Sequence, residues 1–293
     1  MFVLVLGASG FIGFPAAQAL VRAGHTVYGQ TRSEQKATQF AKEEIIPIIC
    51  APDSDGWYDI LAKLDVVIDA VGGMAVHEIS QAIYKRTSDA AARLRPAGAP
   101  KLSYIYTSGA WVHGDSRTEI FSDTAPLTPQ AFVAWRPSDE QLVVTDTVLN
   151  GIVLRPATLY GRSGSLFESL FKGAKEGKAV WPGKPGQRLS LIHCDDLADL
   201  YVRLAEKAHV VGGLTFDAAN GISESTDAIL ERLVHVSGAT AYEYKEPTNL
   251  FENAVASSVI LRPYLARSLL GWTPKKIGLM DGLEVYYKAC VAA

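Results

Sequence analysis

The chain has 293 residues, a length that exceeds the usual single domain but that one large α/β core can carry. Hydrophobic residues at 48% and charged residues at 20% are globular values, which exclude disordered and fibrous classes. A formal net charge of -3 gives no electrostatic reason to expect nucleic acid or an anionic membrane as partner, so the expected partner is a small-molecule substrate.

In chain order, short apolar runs alternate with helix-length segments. Met1 to Leu6 runs straight into Gly7 without a basic flank or cleavage site and is far too short to span a bilayer, which predicts a cytoplasmic chain. Strands are expected at Phe2–Leu6, Thr26–Tyr28, Ile45–Ile49, Val66–Ile68, Leu102–Tyr106 and Ile152–Leu154. Amphipathic stretches at Ile12–Ala23, Ser33–Lys42 and Ile79–Leu94 lie between them. This alternation predicts βαβ units and an α/β fold: a doubly wound parallel sheet with helices on both faces. After Arg155 the pattern turns irregular, with Trp181-Pro182-Gly183-Lys184-Pro185-Gly186 as a Gly/Pro cluster, until helical periodicity resumes over Asp196–Lys207. The expected division is residues 1–160 as mainly the dinucleotide-binding core and 161–293 as mainly a small substrate-binding lobe, with segments returning to the core. Cys50, Cys194 and Cys290 are scattered and odd in number, so they read as reduced and structural, with no metal site.

Gly7-Ala8-Ser9-Gly10-Phe11-Ile12-Gly13 follows the first strand and opens the first helix. That context fits a phosphate-binding turn of Rossmann type: Gly7 permits the tight turn, Gly10 lets backbone approach a pyrophosphate, and Gly13 allows close helix–strand packing. The helix N-terminus adds unpaired N–H donors and a positive dipole end. An NAD site usually offers a carboxylate to the adenosine ribose about twenty residues later. Here Tyr28-Gly29-Gln30-Thr31-Arg32-Ser33 has no acid, and Arg32 offers a planar fork suited to a 2′-phosphate. The alternative is that Arg32 is a solvated loop residue. NADP(H) is the favoured cofactor, with NAD(H) as the alternative.

The GxxGxxG spacing resembles that of the short-chain dehydrogenase/reductase superfamily, in its extended or atypical branch related to nucleotide-sugar epimerases. Val71-Gly72-Gly73 stands where that family's backbone passes the cofactor phosphates, and an ordinary loop is the alternative. Arg155-Pro156-Ala157-Thr158-Leu159-Tyr160-Gly161 resembles the RPxxxYG element, which implies Pro156 and Ala157 beside the nicotinamide. Ile192-His193-Cys194-Asp195-Asp196-Leu197-Ala198 resembles IHVDDLA. Within it His193 and Asp195 read as structural, and Asp196 as a helix cap. Leu270-Gly271-Trp272-Thr273-Pro274 and Gly282-Leu283 resemble the family's LGWxP and GL terminus, with Trp272 as a packing anchor.

The family's catalytic pattern fails. A tyrosine acid/base with a lysine four residues later is absent; the matching segment, Phe132 to Val143, aligns through Glu140 and Val143 and puts Phe132 at the tyrosine and Arg136 at the lysine. Phenylalanine has no transferable proton, whereas arginine still donates to ribose hydroxyls. Tyr106-Thr107-Ser108-Gly109-Ala110-Trp111-Val112-His113-Gly114 resembles SSSxxVYG, with Gly109 at the epimerase serine and His113 at the tyrosine. The resemblance places Thr107 beside the cofactor. Ser108 or Thr107 could orient a carbonyl oxygen by hydrogen bonding, His113 could donate or accept a proton near neutral pH, and Tyr160 is another proton carrier; each could instead cap, pack or hydrogen-bond locally. Arg188 is displaced by one residue from the position that serves a nucleotide-sugar diphosphate, and one residue on a strand reverses the face.

Two functions follow. One is an NADP-linked oxidoreductase or epimerase-like enzyme acting on a small carbonyl or alcohol with a nonstandard proton donor, with Trp181–Arg188 as a lid. The other is a catalytically silent dinucleotide sensor or scaffold. The resemblance also implies a homodimer through helices near Ile79–Leu94 and Asp139–Asn150.

Overall fold

In the computed structural model, which describes residues 1–73, 75–163 and 165–292, the aliphatic run Phe2–Leu6 forms β1. Chain order continues with α1 (Gly13–Arg22), β2 (Thr26–Thr31), α2 (Glu34–Lys42), β3 (Ile46–Ile49), β4 (Val66–Asp69), α3 (Val76–Leu94) and β5 (Ser103–Thr107). Then come α4 (Arg136–Val144), β6 (Asn150–Pro156), β7 (Thr158–Tyr160), α5 (Glu168–Lys175), β8 (Lys178–Pro182), β9 (Arg188–His193) and α6 (Cys194–Val211). The chain closes with β10 (Thr215–Ala218), β11 (Ser223–Ser225), α7 (Thr226–Ser237), β12 (Ala241–Lys245), α8 (Leu250–Val255), α9 (Leu265–Leu270) and α10 (Leu283–Val291).

A seven-stranded sheet runs β10-β6-β5-β4-β1-β2-β3. Its strands from β3 to β6 pair in parallel, for example Val3 opposite both Val27 and Val66. The α/β Rossmann-type expectation therefore holds. Strands covered on both faces must be apolar throughout rather than alternating, which is why Val3–Leu6 and Val66–Ile68 are uninterrupted β-branched and aliphatic runs, all buried. The order reverses between β1 and β4, and ligands of open α/β sheets bind outside the carboxyl ends of strands at such a switch point.

The chain divides into two compact units. The first comprises Met1–Ser108, Ser138–Leu154 and Leu197–Thr215, with a core that includes Leu4, Leu6, Trp57, Val67, Tyr104 and Val153. The second comprises Gly109–Pro137, Arg155–Asp196 and Phe216–Ala293, and packs Tyr160, Phe167, Phe171, Trp181 and Leu230 into its own core. Among the described residues no helix is long and apolar enough to cross a membrane.

Three local expectations are corrected. β2 continues to Thr31, so Gln30 and Thr31 are buried strand residues rather than loop. The helix expected over Asp139–Asn150 ends at Val144, because the Asp146 carboxylate accepts the N–H groups of Val148 (2.6 Å) and Leu149 (2.8 Å) and turns the chain into β6. The Gly/Pro stretch 181–188 is tied down rather than loose. Trp181 is buried and its Nε1 donates to Gln187 Oε1 at 2.8 Å, while Gln187 Nε2 donates to the carbonyls of Val255 (2.6 Å) and Ser257 (2.9 Å).

Candidate functional site

A cleft of about 450 Å³ in the first unit lies at the carboxyl ends of β1, β2 and β4. It brings together Gly7, Ser9, Gly10, Phe11, Arg32, Val71 and Gly72 of the residues expected from sequence. Backbone geometry explains the glycines. Gly7 has φ +73°, and a Cβ there would lie 2.7 Å from Ala70 O; a Cβ at Gly13 would lie 2.3 Å from Gly7 O. These two are required by packing, whereas Gly10 and Gly72 leave bare backbone facing the cleft. No side chain caps the start of α1 and its first turn carries no acid; Phe14 N–H donates to Gly10 O and Pro15 has no N–H, so the helix offers an anion its positive dipole end and the Gly13 N–H. Arg32 is exposed at the cleft with no ion pair or hydrogen bond among the described residues.

Sequence reasoning missed Gln30, Thr31 and Asp53, which line the same cleft. Gln30 is buried; its Oε1 accepts the Gly7 N–H at 2.9 Å and its Nε2 donates to Cys50 O at 2.5 Å, so one side chain fixes the glycine turn to the end of β3. The carboxyl-end rule, applied to β2 and β3, would have pointed to these positions. Ile12, Gly13 and Thr107 do not line the cleft. The Thr107 hydroxyl instead lies 2.6 Å from Tyr201 OH, a buried pair.

Ser108 follows β5 and is buried. Its hydroxyl donates to Glu140 Oε1, and Glu140, on α4, is itself buried. A serine that gives its proton inward to a carboxylate keeps its oxygen lone pairs for another donor.

In the second unit the motif residues are largely withdrawn. Phe132 packs edge-on against Trp111 (6.2 Å between centroids) and Phe251 (5.5 Å), and Trp111 meets Phe251 at 6.0 Å, so the three rings form an aromatic triad. Arg136, partly exposed at the start of α4, places its guanidinium 4.6 Å from the Trp135 ring centre. His113 has no exposed surface; its Nε2 meets the equally buried Asp217 carboxylate at 2.9 Å and its ring stacks on Phe121. Tyr160 is also fully buried, and its hydroxyl donates to Ile277 O at 2.8 Å. Burial pushes that phenol far above its ordinary pKa. Pro156 and Ala157 are buried at the end of β6, where Ala157 N–H donates to Ala218 O.

Arg188 spends its guanidinium on Ser223, with Nε to Oγ at 3.1 Å and Nη2 to the carbonyl at 2.7 Å. Asp196 does not cap α6. It lies in that helix's first turn and accepts the N–H groups of Lys275 (2.9 Å) and Lys276 (3.0 Å), while buried Trp272 donates to Asp196 O. His193 Nδ1, Cys194 Sγ and an Asp195 oxygen lie within 4.8 Å of one another. Each is otherwise engaged: Nδ1 accepts Asp195 N–H, Asp195 pairs with Arg162 (2.7 Å) and Lys276 (3.0 Å), and burial with Asp195 nearby pushes the Cys194 thiol up to about 12.

The chain is similar to several solved structures. UDP-glucuronic acid 4-epimerase from Bacillus cereus, in complex with UDP-glucuronic acid and NAD, superposes with a TM-score of 0.79 at 20% identity, covering 99% of this chain and 98% of that one. Human epimerase family protein SDR39U1 with NADPH gives 0.74 at 17% identity, covering 98% and 99%. These likenesses carry the fold. Among curated proteins, the uncharacterized protein C2A9.02 of Schizosaccharomyces pombe is 26% identical, covering 97% of this chain and 98% of its own length. A sterol-4-alpha-carboxylate 3-dehydrogenase, decarboxylating, from Dictyostelium discoideum is 23% identical over 69% of this chain and 66% of its own length. Residues 3–218 match the family model that the glycine turn, the parallel sheet and the ordered motifs anticipate, and the chain belongs to the NAD dependent epimerase/dehydratase family.

Proposed function

We propose that this protein binds NADP(H) and uses it to interconvert a small carbonyl compound and its alcohol. The observation that carries the reading is the cleft where bare glycine backbone, the uncapped start of α1 and the Arg32 guanidinium meet. Backbone N–H groups suit a pyrophosphate, and a planar guanidinium suits a 2′-phosphate better than a ribose diol. The family relationship and the NAD and NADPH bound by the structural relatives support a nicotinamide cofactor. Bound dinucleotide supplies or accepts a hydride at the nicotinamide ring.

The proton is assigned to Ser108 and Glu140. In alcohol oxidation Ser108 Oγ accepts the substrate hydroxyl proton while its own proton passes to the Glu140 carboxylate; carbonyl reduction runs the same path backwards. Arg136 is carried as the donor to the nicotinamide ribose. The second unit is read as the substrate lobe. Its Trp111-Phe132-Phe251 triad and the engaged Arg188 favour a small, apolar carbonyl over a nucleotide-sugar diphosphate. The test is NADPH oxidation followed by absorbance across aldehydes and ketones. Ser108→Ala and Glu140→Gln are expected to lower kcat by roughly 10²–10⁴ with NADPH affinity unchanged. Unaltered kcat in both variants would remove the relay.

A silent NADP(H)-responsive protein is the second reading, favoured by Phe132 at the phenol position and by the burial of His113 and Tyr160. It predicts tight NADPH binding with no turnover on any carbonyl and an NADPH-dependent change in assembly by sedimentation.

A further inference from the structure

The buried strand β4 is apolar through Val66, Val67 and Ile68 and then ends on Asp69, which is 1% exposed. A carboxylate sealed inside a parallel sheet costs stability unless donors meet it, and an apolar side chain of similar volume often serves a core as well or better. Here the donors fix a direction. Oδ1 accepts the Val71 N–H at 3.1 Å, two residues along the same chain, and Oδ2 accepts the Tyr104 hydroxyl at 3.0 Å from neighbouring β5. Tyr104 is itself fully buried, and burial, with Asp69 beside it, holds its phenol well above the ordinary pKa, so it stays a donor. The carboxylate is therefore held on one side by the sheet and holds, on the other, the backbone that leaves the sheet.

That backbone is a wall of the dinucleotide cleft. Val71 and Gly72 line it together with Gly7, Ser9 and Gly10 of the glycine turn. The two stretches touch: a Cβ at Gly7 would lie 2.7 Å from Ala70 O and 3.0 Å from Val71 Cα, so a shift of one displaces the other. Gln30 anchors the glycine turn through the Gly7 N–H at 2.9 Å. We infer that Asp69 is the matching anchor of the second wall, a positioning residue that sets the Val71-Gly72 backbone for the phosphate bridge of a dinucleotide. The inference rests on the dinucleotide reading of the cleft and assigns Asp69 no contact with the ligand. What the side chain supplies is position. An amide in its place keeps an oxygen for the Val71 N–H and an N–H for the Tyr104 hydroxyl oxygen, whereas leucine keeps similar volume and loses both bonds.

The test is calorimetric titration of the full chain, as wild type, Asp69→Leu, Asp69→Asn and Tyr104→Phe, with NADPH, NADH and adenosine 2′,5′-bisphosphate. The last carries the adenosine end and lacks the phosphate bridge to nicotinamide. Asp69→Leu should weaken NADPH and NADH by the same factor, about tenfold, the worth of one lost hydrogen-bonded contact, and leave the bisphosphate within about twofold. Tyr104→Phe removes a single hydroxyl and keeps the test open if Asp69→Leu fails to fold; it should weaken both dinucleotides by about threefold. Asp69→Asn should hold NADPH within about twofold of wild type. A loss shared equally by all three ligands marks a loosened unit and overturns the assignment. So does NADPH affinity unchanged in both Asp69→Leu and Tyr104→Phe, or Asp69→Asn as weak as Asp69→Leu. Those outcomes leave the dinucleotide reading standing, whereas a wild type that binds none of the three ligands removes that reading and this assignment with it.

Discussion

The glycine-turn cleft of the first unit and the motif residues of the second keep opposite kinds of polar group. In the cleft, backbone at Gly10 and Gly72 and the guanidinium of Arg32 face outward, while the buried side chains serve local structure: Gln30 holds the turn and Thr31 Oγ1 accepts the Ser33 N–H. In the second unit His113, Tyr160 and Asp196 point inward, each committed to a carboxylate, a carbonyl or backbone N–H groups. The same family motifs therefore persist for different reasons. Those in the first unit leave donors available for an anion, and those in the second hold strands and loops together. Substitutions in the cleft should change ligand affinity with little effect on stability, and substitutions in the second unit should do the reverse.

The largest effect is expected at His113. His113→Ala empties a buried ring-sized space and takes a hydrogen-bond partner from Asp217, whose carboxylate then keeps only Arg155 Nη1, at 3.8 Å, among the described residues, so it should cost about 3–5 kcal/mol in urea unfolding. If stability is unchanged and only turnover falls, His113 belongs to the chemistry and the comparison breaks. Next comes Gly13→Ala, whose Cβ would lie 2.3 Å from Gly7 O; the forced shift should cost about 1–3 kcal/mol and distort the turn, weakening NADPH binding as well. Gly72→Ala is its control, because nothing lies within 4 Å of the added Cβ, and its stability should stay within about 0.5 kcal/mol. Phe132→Ala should lose about 0.5–1.5 kcal/mol for each ring pair it breaks, visible in the Trp111 fluorescence, with dinucleotide affinity intact.

The smallest effect is a pH dependence. Burial lowers the His193 pKa despite Asp195 and Asp196 nearby, with Lys276 and Arg162 adding to the lowering. The unfolded chain then binds more protons than the folded one, so stability is full above the ordinary value near 6.5 and falls as pH drops below it. Chemical denaturation of wild type and His193→Asn across this window should show the slope only in wild type. A slope that survives the substitution would move the proton uptake to another group.

Most of the sheet was legible because buried parallel strands must be apolar along their whole length, which makes β1, β4 and β5 conspicuous. The glycine turn was legible because backbone clashes allow little else at Gly7 and Gly13. Gln30 escaped notice because polar residues at a strand end look like loop until the register buries them. The inward commitments of His113 to Asp217, 104 residues apart, and of Arg188 to Ser223 are long-range pairings with no local sequence signal. The expected lid failed for the same reason: Gly and Pro mark a turn, but Gln187 reaching Val255 and Ser257 decides whether the turn is free.

The central claim is that the first-unit cleft holds a dinucleotide through its glycine turn and selects the 2′-phosphate through Arg32. Calorimetric titration of wild type and Arg32→Ala with NADPH and NADH tests it most directly. The account predicts that wild type binds NADPH more tightly than NADH, and that the substitution weakens NADPH by roughly 10–100-fold, the worth of about 1.5–3 kcal/mol for a charge-assisted contact, while leaving NADH unchanged. Equal affinities of wild type for both dinucleotides, or an equal loss of both on substitution, would contradict it.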